Sequence, residues 1–184
     1  MSFRPRDPLA LWFLPTVAIV LPVYAADFLS VEQAQPVLFP AALSFISQPV
    51  SLTKEQRKQI KALAGVSQRW ETQRVWRVVG ADGKAAGWFI VDEVVGKHEF
   101  ITYAAGLSAS GRVVGIEILS YRETHGDEVR RPDWRRHFAG KSLADPFRLD
   151  QDIPNITGAT LSCRNLTDGV KRLLALHRVV LSAG

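Results

Sequence analysis

The rhythm of apolar and polar positions changes at about residue 73. From there "QRVWRVVG", "GWFIVDEVVG", "EFITYAAGL" and "RVVGIEILSY" are β-branched and aromatic runs close to a period of two. Glycine-bearing links such as "ADGK" and "SASGR" separate them, as expected of hairpin turns. Four such runs joined by short links predict an antiparallel sheet. At the C-terminus the period becomes helical. Over Ser162–Ser182, Leu166, Val170, Leu173, Leu174, His177 and Leu181 fall near one face, with Arg164, Asp168, Lys171, Arg172 and Arg178 elsewhere. That helix is expected to cover the sheet.

Upstream of residue 73 the signals are helical. "LSVEQAQPVLFPAALSF" reads as a short helix capped by Ser30, with Gln33 completing a capping box and Pro40 as its stop. "SLTKEQRKQIKALAG" has Thr53 as cap, Gln56 as its partner and Gly65 as terminator. Its few apolar positions predict a surface helix. "RRPDWRRHFAGK" predicts a further short helix begun at Pro132 and closed by Gly140. The expected fold class is α+β: a small antiparallel β-sheet packed by helices, with an N-terminal helical segment. The expected organisation is a signal peptide at 1–25, a helical segment at 26–72 and a cofactor-binding domain at 73–184.

The signal-peptide expectation rests on layout. Arg4 and Arg6 precede an uncharged stretch from Pro8 to Ala26, and Val23 and Ala25 are small enough for a cleavage site. An uncleaved anchor is the alternative, because the stretch approaches the roughly 20 residues that span a bilayer. Either reading puts the rest of the chain outside the cytoplasm, periplasmic or otherwise exported.

Composition removes several classes of function. The 184 residues carry a net charge of +5, but the basic side chains alternate with acids, as in "YRETHGDEVRRPDWRR". That is a poor footprint for nucleic acid. Cys163 is the only cysteine, so neither a disulfide nor an iron–sulfur cluster can form within the chain. His98, His125, His137 and His177 lack the spacing of a zinc site. Redox chemistry here would need an organic cofactor.

The candidate chemistry lies in "DIPNITGATLSCRN", where Thr157-Gly158-Ala159-Thr160 runs into the C-terminal helix. A helix start presents free N–H groups and the positive end of the dipole, a natural seat for phosphate. Gly158 and Ala159 leave room for a bulky ligand to approach. The N–H groups of Leu161, Ser162 and Cys163 would receive the anion. Alternatively, threonines before a helix are ordinary N-caps, and spacing alone leaves that reading open.

"ITGATLS" resembles the S/T-G-A-T-x-S/T motif of the FMN-binding domain family. That family includes flavin subunits of the sodium-pumping quinone reductase and the Rnf complex, and the periplasmic part of nitrous-oxide-reductase regulators. The resemblance runs from about Gly87 to Leu181, with "YRETHG" similar to the family's E-T-x-G turn. Two departures stand out: Pro154 replaces a frequent acid, for which Asp152 and Asn155 are nearby candidates, and "ETHGDE" replaces "ETPGLG".

The resemblance implies that Thr160 carries FMN covalently as a phosphoester, attached by a separate flavin transferase. It further implies that Thr157, Gly158, Ala159, Leu161 and Ser162 surround the phosphate. Glu123, Thr124 and Gly126 would lie near the ribityl chain, and Lys97 and His98 near the isoalloxazine. A cation there would favour reduced flavin, although a solvent-exposed turn accounts for His98 equally well. Arg130, Arg131, Arg135 and Arg136 offer a docking face for an acidic redox partner, membrane-bound or otherwise, or simply a solvated surface. No acid–base pair for a substrate stands out. The function implied is electron transfer by an exported flavoprotein, with a small flavin-dependent reductase or a non-redox sensory module as alternatives.

Overall fold

In the computed structural model residues 26–123 and 126–183 are described. The four predicted strands form as expected: β4 (Thr72–Gly80), β5 (Ala85–Val95), β6 (Phe100–Ser108) and β7 (Val113–Tyr121), each antiparallel to the next. The sheet extends further than the pattern indicated. Its order is β1-β7-β6-β5-β4-β2, with β1 at Ala26–Asp27 and β2 at Ala42–Ser47, and β3 (Val50–Ser51) also pairs with β4.

The segment expected to be helical therefore contributes strands to the same sheet. Helix α1 (Val31–Leu38) has the predicted Ser30–Gln33 capping box and stops just before Pro40, as expected, whereas "ALSFIS" beyond it is an edge strand against β4. Leu43 and Ile46 stay largely exposed on that edge, so no clean alternation marks β2 in the sequence. Helix α2 (Lys54–Ala64) shows both predicted caps, with Gly65 at φ +82. It is a surface helix, but it buries Ile60 and Ala64 in the core.

Both faces of the sheet are covered, so the central strands bury apolar residues on both sides. On one face Val78, Phe89, Val91, Ala104 and Leu119 meet Ala34 and Leu38 of α1. On the other, Ile90, Val94, Ile101, Tyr103 and Ile118 join the larger core with Leu166, Val170, Leu173 and Leu174. Those last four belong to α4 (Thr160–Val179), the predicted C-terminal helix begun two residues early, while Leu181 lies in a following 3-10 turn. Gly169 allows this close docking, since a Cβ there would lie 2.6 Å from the Tyr103 hydroxyl.

One α4 residue departs from expectation. Arg172, placed by its pattern off the apolar face, is buried and pairs with Asp92 of β5 at 2.5 Å. Between β7 and α4 lie a 3-10 turn (Asp127–Arg130), the single-turn α3 (Pro132–Arg135) and an irregular strap. The strap is held by Asp152, whose carboxylate accepts the Arg148 N–H at 2.6 Å and Lys141 Nζ at 2.9 Å. Asp152 is thereby committed to its own loop. Burial opposes its charge, but these partners hold its carboxyl below the usual range.

Candidate functional site

The strap delivers the chain to the mouth of α4 through a tight turn, closed by the Ala159 N–H donating to Ile156 O at 2.9 Å. Thr157 and Gly158 sit at its tip. Gly158 takes φ +88, and nothing lies within 4 Å of where its Cβ would be, so this side of the turn is open. Thr160 is the first residue of the helix rather than its cap. The cap position belongs to Ala159, and no side chain caps the helix. The capping explanation for the two threonines therefore fails. The first rung of α4 is Cys163 N–H to Ala159 O at 2.9 Å. The N–H groups of Thr160, Leu161 and Ser162 precede that rung, at the positive end of a 20-residue helix. The Cys163 N–H is used inside the helix, contrary to expectation.

Facing this mouth is the β5–β6 turn. Gly96 N–H donates to Glu99 O at 2.8 Å, which projects Lys97 and His98 at the turn's exposed tip. Glu123, just beyond β7, reaches across and accepts the backbone N–H groups of His98 at 2.5 Å and Glu99 at 2.9 Å. Partial burial works against its charge. Backbone donors from Glu99, His98 and Lys97 outweigh that penalty and hold its carboxyl below the usual carboxylate range. Gly96 makes the approach possible, since a Cβ there would lie 2.5 Å from Glu123 Oε1.

These segments enclose a cavity of about 350 Å³ lined by Lys97, His98, Glu123, Gly158, Ala159, Thr160, Leu161 and Ser162. Eight of the residues singled out in the sequence thus meet, although up to 65 positions separate them. Thr157 and Gly126 are not among the lining residues. Gly126, at φ +88, backs the helix mouth from behind: a Cβ there would meet the Tyr121 hydroxyl at 2.8 Å and the Ala159 Cβ at 2.9 Å. Thr124 lies outside the described residues.

The three hydroxyls near the mouth differ. Thr157 is exposed, Thr160 is half-buried on the cavity wall, and Ser162 is buried with its Oγ 3.2 Å from the Tyr121 hydroxyl. One contact had no sequence signal. Asn165 of α4 donates its side-chain amide to Val95 O at 2.6 Å and reaches Gly96 O at 3.4 Å. No group of three His, Cys, Asp or Glu side chains among the described residues is placed to hold a metal ion. No described helix is long and apolar enough to cross a membrane.

The α+β sheet thus carries an uncapped helix mouth that faces Lys97 and His98 across one cavity, an arrangement that could accept an anion. Residues 96–175, less than half of the chain, match the family described as the FMN-binding domain. The match encloses every residue that lines the cavity. A subunit of the ion-translocating oxidoreductase complex of Stutzerimonas stutzeri is 37% identical over 79 residues, covering 37% of this chain and 35% of that protein. A subunit of the proton-translocating ferredoxin:NAD(+) oxidoreductase complex of Clostridium ljungdahlii is 24% identical over 158 residues, covering 78% and 84%. The chain thus spans about a third of the first relative, but most of the second. Among solved structures, Shewanella oneidensis NqrC shares the fold with a TM-score of 0.51 at 20% identity, covering 78% of this chain and 73% of that one.

Proposed function

We propose that this chain is an exported electron-transfer flavoprotein that holds FMN covalently, through a phosphoester on the Thr160 hydroxyl. The observation carrying the reading is the uncapped mouth of α4. It leaves the N–H groups of Thr160, Leu161 and Ser162 without a capping side chain, on residues that line a cavity shared with Lys97 and His98. The cavity is compatible with a phosphorylated flavin: the mouth would receive the phosphate, Gly158 leaves the approach open, and Lys97 and His98 on the rim would bear on the ring system. FMN supplies the electron transfer when bound. The chain's part is to seat the phosphate, present the Thr160 oxygen and bias the flavin's charge states from Lys97 and His98. The family match and the names of the two oxidoreductase-complex relatives support both the cofactor and a redox role.

Attachment would require a separate flavin transferase, and electrons would pass to a partner protein, membrane-bound if it resembles the relatives' complexes. Export rests on the layout of residues 1–25, which lie outside the described structure.

The decisive experiment is peptide mass spectrometry of protein made in an exporting host together with a flavin transferase. Trypsin releases 149–164 as one fragment carrying Thr157, Thr160 and Ser162. FMN is expected on Thr160. Thr160→Ala should lose all covalent flavin yet cost at most about 0.5 kcal/mol of stability, because this side chain caps nothing. Thr157→Ala should slow attachment without moving it. Flavin found on Thr157 or Ser162 would overturn the assignment.

A further inference from the structure

The Lys97–His98 turn is a hairpin end, and such ends are ordinarily loose. Here it is gripped from two sides. Glu123 takes the His98 and Glu99 N–H groups, while the Asn165 amide takes Val95 O and Gly96 O. These bonds tie together α4, the β5–β6 turn and Glu123 beyond β7, all of which contribute to the cavity. Asn165 lies five positions beyond Thr160 on the helix. Asparagine is a weak helix former, and the α4 residues around it meet the sheet through apolar side chains such as Leu166 and Val170. Its amide is a polar exception in that contact, aimed at the turn.

We propose that Asn165 is a positioning residue, fixing Lys97 and His98 at a set distance from the mouth of α4 and so setting how strongly they act on the flavin. The proposal rests on the FMN reading above. With the amide removed, the turn keeps only its Glu123 anchor and can swing away from the helix. The cations would then stabilise reduced flavin less, and the reduction potential would fall. Attachment would slow as well, because the cavity loses its fixed width.

Asn165→Ala improves helix propensity while deleting the donor. Asn165→Asp keeps the size but turns a carboxylate toward two carbonyl oxygens. Val170→Ala, on the same helix and fully buried, is the control for plain destabilisation. Both Asn165 variants are expected to speed hydrogen exchange at the His98 and Glu99 amides of the apoprotein about tenfold, the scale of one lost hydrogen bond. Both should lower the flavin potential and slow attachment, whereas Val170→Ala should shift only the melting temperature. Unchanged exchange would overturn the clamp. Faster exchange with unaltered potential and attachment would overturn the positioning role. A chain that takes no flavin at all would remove the FMN reading and the role together, and exchange in the same samples would still score the clamp separately.

Discussion

Glu123 Oε1 accepts the backbone N–H of His98 at 2.5 Å, across 25 positions of chain. A carboxylate seated on consecutive amides of a turn acts as a stay for that turn. It also makes the turn acid-sensitive. The folded-state pKa of Glu123 lies below the ordinary 4.5, so its contribution is fully present above that value and is lost as pH falls through the folded pKa. A titration with a midpoint below 4.5 should therefore appear in the His98 and Glu99 amide resonances and be absent in Glu123→Gln. A midpoint at or above 4.5 would mean that the carboxylate is not held by the turn.

The Asp92–Arg172 pair should behave as a buried ion pair whose partners are costly to separate. Tyr103 donates its hydroxyl to the same Asp92 oxygen at 3.0 Å. Burial, reinforced by the Asp92 charge, pushes the Tyr103 phenol well above its usual range. Arg172→Met should cost about 3–5 kcal/mol in urea unfolding, because it strands a charge in the core. The double variant Asp92→Leu/Arg172→Met should recover much of that loss. A single variant costing less than about 1 kcal/mol would show that water reaches the pair.

His98→Ala should leave the turn in place, since the bond to Glu123 uses the His98 backbone. Flavin should remain attached while its reduction potential falls, because a hydrogen-bond donor near reduced flavin is lost. Redox titration of the two proteins side by side at about pH 6 reads the shift. No change in potential there would reduce His98 to a turn residue.

What could be read from the sequence was written locally. Both capping boxes and the Gly65 terminator depend on residues three positions apart or on one backbone angle, and both formed as read. The four central strands showed themselves because dense β-branched runs between glycine turns have few other ways to fold. The Thr157–Thr160 motif was visible as well, since a helix mouth is a feature of neighbouring residues.

The tertiary structure decided everything that depends on a distant partner. Edge strand β2 was hidden because its pairing with β4 is backbone hydrogen bonding, which leaves little mark on side-chain pattern. Arg172 looked solvated until Asp92, 80 positions away, made its burial tolerable. Spacing within the chain could not say whether Lys97, His98 and Glu123 face Thr160; the antiparallel register and the docking of α4 on the sheet bring them to one cavity. Asn165 carried no signal of its own, because an amide's role is set by the carbonyls it meets, and Val95 lies 70 positions away.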